Sequence, residues 1–254
     1  PRENHSVSCG IKMARHYYDQ DDRDRMGAAS RDQSAKVRDI APLPRPADVA
    51  RRVRCGADLR SFAETYLAPT FYLPWSKDQL RAIERIQRCV LHGGLFSMAM
   101  PRGSGKSVLA ETACLWAVLN GHAEFVLFVG ATEKHALEML ESVKSELENN
   151  EAIVADFPES CYPIARLDGI SKRCAGQTYG GERTQIGWGM DEITLPSLAP
   201  DGWAADAELA PFVGPTGKSV SAGAILRVAG ITGRLRGIKF KRPDGRTVRP
   251  SLVV

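Results

Sequence analysis

The sequence contains no apolar run that approaches the roughly 18 residues of a membrane-spanning helix, and no apolar stretch near its start resembles a secretory signal. Neither export nor membrane insertion is therefore expected. The six cysteines form no C-x-x-C pair, and no histidine lies beside them at ligand spacing. A zinc site or a disulfide framework is not expected, and the pattern fits free thiols in a reducing cytoplasm.

The 254-residue chain also lacks an initiating methionine, since it begins at Pro1, and it closes on the apolar run "SLVV" (251–254). Because a natural C-terminus seldom stops inside a strand-like run, we expect a fragment at both ends. No internal repeat is present, and 43% apolar with 25% charged residues is an ordinary globular composition.

Charge is unevenly distributed along the chain. Residues 218–254 hold 9 Lys and Arg against 1 acidic residue, whereas residues 61–217 hold 12 against 20. A basic end after an acidic middle is typical of contact with an anionic partner, usually nucleic acid, or of a solvated hairpin at a sheet edge. Charge alone leaves both alternatives open.

The chain divides into a polar beginning and a patterned remainder. Residues 1–57 have mixed charge and a proline-rich interruption, which predicts a mobile arm or a small helical piece. In residues 58–254, apolar spacing and capping residues predict helices at 58–67, 76–92, 107–121 and 132–150, with buried strands at 93–100 and 124–130. This order predicts an α/β domain with a mostly parallel sheet covered by helices.

The second half is richer in glycine and strand-like segments. Strands are predicted at 184–189 and 223–230, and the turn signal "PDG" (243–245) predicts a hairpin that leads into a final strand at 251–254.

The tripeptide GKS occurs twice, at 105–107 and at 217–219. A phosphate-binding loop requires a buried strand before it and a helix after it, so that backbone N–H groups at the helix start converge on the anion. Lys106 has both neighbours in the predicted pattern. Lys218 has neither, so the second GKS is predicted to be a turn without a nucleotide role.

The first loop, "AMPRGSGKSVLAE" (99–111), therefore predicts nucleotide binding. Lys106 is expected to reach the outer phosphates and Ser107 to ligate Mg²⁺. Gly103 and Gly105 keep the loop flexible where it wraps the phosphates, although Met100 stands where the strict pattern has glycine.

Arg102 is the unusual member of this loop. Its guanidinium is expected to donate to phosphate oxygens or to pair with a carboxylate across the site, and the alternative is an ordinary surface arginine.

A nucleotide site of this kind also needs an acidic partner. Asp191 and Glu192 follow a short strand-like segment and are one candidate pair. Gly187 and Gly189 make that segment a poor buried strand, and "SLVV" is a better one. The pair is therefore either catalytic or part of a loop near the site.

At "PRGSGKS" the sequence resembles the ATPase domain of large terminase subunits, the motors that package DNA into tailed-phage heads. The resemblance runs from about residue 60 to the end, but only the phosphate loop is a sharp motif. The other similar segments are "FYLPWSKDQL", "FVGATEKHALEMLESVKSEL", "AGQTYGGERTQIGWGMDEI" and "ITGRLRGIKFKRPDGRTVRPSLVV".

The resemblance implies a P-loop NTPase fold of the ASCE type and an enzyme that hydrolyses ATP with Mg²⁺. Lys106 would bind the β- and γ-phosphates, Ser107 would ligate Mg²⁺, and Gly103, Ser104 and Gly105 would supply backbone N–H groups. Arg102 matches the family's loop arginine, which is thought to sense or stabilise the γ-phosphate in cis.

Gln79 would read the adenine edge, with Trp75 or Tyr72 packing nearby, and the alternative is an ordinary solvent-facing residue. In the family, two acidic residues follow the strand that "RPSLVV" resembles. Because the sequence stops at Val254, we expect these acids and the nuclease domain to lie beyond it. Slow or absent ATP turnover by residues 1–254 alone is expected.

The implied partners are double-stranded DNA, a portal protein and a small terminase subunit, with a ring homo-oligomer forming on the portal. The implied location is the host cytoplasm, transiently at the procapsid portal.

Two alternatives remain open. A superfamily-2-like helicase or translocase shares the strand order and the upstream glutamine. A non-hydrolysing nucleotide- or DNA-binding piece would use the basic end to contact phosphates in a salt-dependent way. The basic residues in question are Arg234, Arg236, Lys239, Lys241, Arg242, Arg246 and Arg249.

Overall fold

The structure, a computed structural model, describes residues 38–231, 233, 235 and 237–254. Residues 39–254 group into one unit. Residues 1–37 of the arm predicted at 1–57 lie outside the described residues, as do Arg234 and Arg236. The predicted domain boundary at residue 57 falls inside the described unit, because helix α1 (Val49–Ala57) buries Arg52 and Cys55 in it.

The helices of the described residues mostly begin where the sequence patterns place them. None of them is both long enough and apolar enough to cross a membrane. After α1 they are α2 (Leu59–Tyr66), α3 (Lys77–His92), α4 (Lys106–Leu119), α5 (Glu133–Asn149), α6 (Glu151–Asp156) and α7 (Pro158–Ala165).

Side-chain caps explain two of these starts. The Ser76 hydroxyl accepts the N–H of Gln79 while the Gln79 amide oxygen accepts the N–H of Ser76, a reciprocal capping box that begins α3. The Thr132 hydroxyl accepts the N–H of His135 and begins α5. The predicted starts of both helices are confirmed.

Nine strands form one five-stranded sheet and two small hairpins. They are β1 (Phe125–Gly130), β2 (Thr178–Tyr179), β3 (Glu182–Arg183), β4 (Gly187–Trp188), β5 (Glu192–Thr194), β6 (Ile225–Gly230), β7 (Phe240–Lys241), β8 (Thr247–Val248) and β9 (Leu252–Val253), all among the described residues.

The main sheet has the order β4-β5-β6-β1-β9. Strands β6, β1 and β9 are parallel, whereas β4 and β5 are added in antiparallel pairs. Helices α4 and α5 pack on β1. The fold is therefore α/β, with a mixed, mostly parallel central sheet flanked by helices.

The longest strand pairing fixes how closely α5 approaches the sheet. Strand β1 pairs with β6 along its whole length, and Gly130 lies opposite Gly230. A Cβ at Gly130 would come within 2.7 Å of the Ala136 nitrogen, and one at Gly230 within 3.0 Å of the Glu133 nitrogen. Glycine is required at both strand ends because the backbone of α5 passes directly over them.

The apolar run at 93–100 is not a strand, so that prediction was wrong. Leu95 is fully exposed, and no backbone hydrogen bond among the described residues joins residues 94–100 to the sheet. Met98 and Met100 still pack against the core. Without a backbone ladder to a neighbouring strand, these residues are not held in the sheet.

The predicted hairpin and final strand are confirmed. Strands β7 and β8 pair in antiparallel register around the "PDG" turn, and β9 lies parallel to β1, with Val126 opposite Leu252.

A buried ion pair joins the first helix to the rest of the unit. Arg52 and Glu159 both have fully buried side chains, and the Arg52 Nη2 donates to Glu159 Oε1 at 2.5 Å. The Arg52 Nη1 also donates to the carbonyl of Asp156 at 3.0 Å. The guanidinium lies over the rings of Phe157 and Phe212, with centroid distances of 4.5 and 3.9 Å. Arg52 thereby connects α1, α7 and the short 3₁₀ turn Ala210–Phe212.

A second carboxylate lies next to this ion pair. Asp156 accepts hydrogen bonds from Arg51 at 2.6 Å and from the Tyr66 hydroxyl at 2.7 Å. Burial and the hydrogen bond to Asp156 raise the pKa of Tyr66 well above its usual value. The phenol therefore stays protonated and keeps donating, which fastens α2 to α6.

Replacement of Glu159 by Gln tests the buried ion pair. The variant leaves the Arg52 charge buried without a counter-charge, so we expect the free energy of unfolding in urea to fall by about 3–5 kcal/mol. The control is Lys134→Gln, which removes an exposed pair to Glu138 with an N–O distance of 3.9 Å and should change stability little. Equal effects of the two substitutions would contradict the structural role given to Arg52.

Candidate phosphate-binding site

Two glycines shape the loop that leads into α4. Gly103 has a φ of +82° and Gly105, the N-cap of α4, a φ of +78°. A Cβ at either position would meet no atom within 4 Å, so space does not require glycine there. The left-handed backbone does, because other residues adopt it only with strain. The open space beside both residues leaves room for an anion.

The Lys106 side chain folds back over the start of the loop. Its ammonium donates to the carbonyls of Met100 and Pro101, both at 2.7 Å. An ammonium has three donors, so two hold the loop closed and one is left for another acceptor. The charge is thereby fixed at the mouth of the loop.

The N-terminus of α4 is open to an anion. No side chain caps it, and the first-turn N–H groups of a helix have no partner within the helix. The helix dipole adds partial positive charge at the same place. Ser107 is exposed, and its hydroxyl forms no hydrogen bond among the described residues. A phosphate group fits these N–H donors. The Ser107 hydroxyl offers one oxygen ligand, and no cluster of three or more His, Cys, Asp or Glu side chains among the described residues could hold a metal ion by itself.

Gln79 connects α3 to the loop, a contact that the sequence did not predict. Its amide nitrogen donates to the carbonyl of Ser104 at 3.1 Å, while its amide oxygen accepts from the N–H of Ser76 at 2.9 Å. Both ends of the amide are thus engaged within the chain. Each end keeps one more hydrogen-bonding position, since an amide has two N–H donors and two acceptor lone pairs. Reading an adenine edge, as the resemblance implies, would use these second positions.

The aromatic residues before α3 are held to α2. Trp75 stacks on Phe71 with a centroid distance of 4.8 Å, and its indole N–H donates to Glu64 Oε1 at 2.7 Å. Glu64 also pairs with Arg60. Tyr72 is exposed. Trp75 is therefore the fixed aromatic side chain near Gln79, and Tyr72 is free to contact a ligand.

Arg102 lies at the exposed side of the loop. No ion pair or hydrogen bond among the described residues engages its guanidinium. Its place next to Gly103 puts the positive charge beside the loop, where it can extend to an anion without breaking an existing contact.

Asp191 and Glu192 lie at the start of β5. Glu192 pairs with Arg227 of β6 at 3.5 Å, and the carbonyl of Asp191 accepts the N–H of Val228. Burial raises the pKa of Glu192, Arg227 opposes this rise, and the neighbouring Asp191 adds to it. No hydrogen bond or ion pair within the described part of the chain joins either carboxylate to the loop around Lys106.

The second GKS lies in a turn, as predicted. Val213 and Ser219 form an isolated bridge, and no helix follows Lys218. The Lys218 ammonium donates to the Ser197 hydroxyl at 2.9 Å. This lysine is used to tie two loops together.

A carboxyl group behind the loop was missed by the sequence analysis. Glu111 lies four residues after Ser107 on α4 and accepts a hydrogen bond from the Ser142 hydroxyl of α5 at 2.8 Å. Burial raises the pKa of Glu111, against lowering effects of Ser142 and of the charge on His135. The helical spacing from Ser107 was the available signal, but the contact to α5 was not visible in the sequence.

The shifted Glu111 pKa predicts a pH-dependent stability difference. Because the folded chain binds this proton more tightly than the unfolded chain, the stabilisation is complete below the unfolded pKa and is lost as pH rises through the folded pKa. Glu111→Gln should therefore be more stable than the parent chain near pH 7, and the difference should shrink toward about pH 4. Urea unfolding at several pH values measures it, with the exposed Glu138→Gln as control. A difference independent of pH would contradict the assignment.

No protein-family model matches the chain, and neither a curated protein nor a solved structure matches it. The chemistry assigned to the loop therefore depends on these residues and on their arrangement.

Proposed function

We propose that this chain binds ATP with Mg²⁺ at the loop over residues 100–107. We further propose that it is the ATPase domain of a terminase large subunit, which couples ATP hydrolysis to translocation of double-stranded DNA into a procapsid. The observation that carries the nucleotide assignment is the Lys106 ammonium, held 2.7 Å from two loop carbonyls at the start of an uncapped helix. The motor assignment is supported by the sequence resemblance alone.

Each loop residue has a proposed role. The backbone N–H groups of Gly103 and Gly105 donate to the phosphates, as does that of Ser104 once it leaves the Pro101 carbonyl, to which it donates at 3.3 Å. Lys106 donates to the outer phosphate oxygens. The Ser107 hydroxyl ligates Mg²⁺, which when bound neutralises charge on the phosphates.

Arg102 completes the proposed set. Its guanidinium stabilises the charge that develops on the γ-phosphate oxygens during transfer. Its exposed position next to Gly103 supports this role, because no contact among the described residues must be broken first.

Double-stranded DNA is the proposed substrate of the motor, and a portal protein and a small terminase subunit are its proposed partners in the host cytoplasm. The hairpin β7–β8 supports contact with an anionic polymer. Lys239, Lys241 and Arg249 form no ion pair among the described residues, whereas Arg242 pairs with Glu124 at 2.7 Å. The same observation favours the second candidate function, a nucleotide- and DNA-binding unit that does not hydrolyse ATP.

Lys106→Ala should weaken binding of Mg²⁺-ATP about 10- to 100-fold, the loss expected when a charge-assisted hydrogen bond to phosphate is removed. Isothermal titration calorimetry measures the affinity. The matched control is Lys218→Ala, which removes a lysine from the same tripeptide in the turn and should leave the affinity unchanged. An equal loss of affinity in both variants, or no loss in Lys106→Ala, would contradict the nucleotide assignment.

A double variant at the acidic pair separates hydrolysis from binding. If Asp191 and Glu192 supply the catalytic acid, the double variant Asp191→Asn, Glu192→Gln keeps ATP affinity and loses phosphate release. Unchanged release would leave the acidic partner elsewhere. Robust release by the parent chain, lost in the double variant, would assign the catalytic acid to Asp191 and Glu192. Absent release with tight binding is expected of residues 1–254 under both candidate functions.

Gln79→Ala separates adenine recognition from loop positioning. If Gln79 only positions the loop through Ser104, the affinities for ATP and GTP should fall by the same factor, roughly fivefold for one neutral hydrogen bond. If Gln79 reads adenine, the affinity for ATP should fall and that for GTP should not. Competition titrations with ATP and with GTP give the ratio of the two affinities. The control is Gln87→Ala, which removes a matched amide near the other end of α3.

A further inference from the structure

The two faces of the main sheet have different surroundings. Val126 of β1 belongs to the core that α4 and α5 share with the sheet. Because side chains alternate along a strand, Leu127 and Val129 lie on the second face. A row of paired residues crosses this face, with Leu127 opposite Arg227 of β6 and opposite Val253 of β9. The second face is therefore apolar along β1 and β9.

A cavity of about 410 Å³ lies on this second face. The sheet contributes Leu127, Val129 and Val253 to its lining, and the two ends of the hairpin β7–β8 contribute Ile238, Arg249 and Pro250. Small-molecule sites in proteins typically have volumes of about 300–1,000 Å³ and mostly apolar walls with a few polar groups. The cavity has the size and the lining of such a site.

The hairpin side of the cavity is fastened to the sheet. The Arg242 Nη2 is 2.7 Å from Glu124 Oε1 and donates to the carbonyl of Gly223 at 3.0 Å. After the hairpin, the N–H of Ser251 donates to the carbonyl of Phe125 at 2.9 Å, and the Ser251 hydroxyl accepts the N–H of Phe125 at 3.2 Å. Both ends of the hairpin are therefore held in place beside the strands.

Arg249 supplies the one charge in the part of the cavity lining that the structure describes. The residue is exposed, and no ion pair or hydrogen bond among the described residues engages its guanidinium. Arg227, in the same row as Leu127, is 3.5 Å from Glu192 and so already has a counter-charge. The lining thus combines apolar walls with one guanidinium that is available to an anion.

This combination favours a small molecule with one carboxylate and an aliphatic body. A guanidinium can donate two parallel N–H groups to a carboxylate, and contact with the walls removes aliphatic surface from water. Double-stranded DNA, the anionic polymer proposed above for this hairpin, would also use Arg249. Its phosphate backbone would leave the apolar walls without a partner.

We propose that the cavity between the sheet and the hairpin binds an aliphatic monocarboxylate, with the carboxylate on Arg249 and the chain against Leu127 and Val253. The site shares no residue with the loop over 100–107, and no nucleotide takes part in the binding. The inference therefore goes beyond the proposed function, and failure of the nucleotide assignment and failure of this site are distinguishable.

The test is isothermal titration calorimetry of the full chain with octanoate and with 1-octanol, its neutral counterpart. We expect one octanoate site with a Kd on the order of 0.1 mM. Arg249→Gln should weaken octanoate binding about tenfold, to the affinity of 1-octanol, because it removes a charge-assisted hydrogen bond. Since Arg249 is exposed, this substitution does not put folding at risk.

A second variant tests the apolar walls. Val253 is 59% exposed, so the larger side chain of Val253→Trp can be accommodated without disturbing the core. The indole should fill part of the cavity and weaken the binding of both ligands. Octanoate binding that survives this substitution unchanged would place the ligand elsewhere and overturn the proposal.

Arg246→Gln is the matched control. It removes an exposed guanidinium of the same hairpin that pairs with Asp244 and does not line the cavity, so the octanoate affinity should stay the same. An equal loss in Arg246→Gln and Arg249→Gln overturns the proposal, as does the absence of octanoate binding on the order of 10 mM. If octanoate fails to bind while Arg249→Gln weakens the binding of labelled duplex DNA, this surface contacts nucleic acid instead, and the proposal is wrong.

Discussion

The backbone ladder of β1 is the constraint on which the remaining architecture depends. This strand is almost wholly buried, and a buried N–H or C=O group without a partner costs roughly 1–3 kcal/mol. Strands β6 and β9 satisfy both of its edges in parallel register. Parallel pairing requires long crossovers, and α5 supplies part of the one between β1 and β6. Gly130 and Gly230 then let the start of α5 lie directly over the strand ends.

The loop over residues 100–107, the proposed phosphate site, is held from outside this sheet. Its two carbonyls are bound by Lys106 from within, and Ser104 is bound by Gln79 from α3. The loop therefore keeps its shape although the run before it forms no strand in the described structure. In the proposed ATPase, Lys106 keeps its third N–H for a phosphate oxygen, and its charge already lies where that phosphate would bind.

The charged side chains of this protein differ in burial as well as in position. Arg52 and Glu159 are buried and fix the orientation of α1. The exposed Arg81 has only a long pair to Asp78 at 3.6 Å, and Arg85 and Arg88 form no ion pair among the described residues. Buried charges need a partner within the fold, whereas exposed charges are satisfied by water until a partner replaces it. Buried charges therefore specify the structure, whereas exposed charges are available to a partner.

The sequence by itself determined the features that depend on neighbours along the chain. Caps at Ser76 and Thr132, apolar periodicity in α2 and α5, and the turn at Lys218 all follow from local spacing. Only the tertiary structure decided which groups meet across long separations. It left 93–100 out of the sheet, gave Gln79 a partner in Ser104, and joined Arg52 to Glu159 and Glu111 to Ser142. Local rules cannot give these outcomes, because a strand or a buried polar group is stable only when a distant segment supplies its partner.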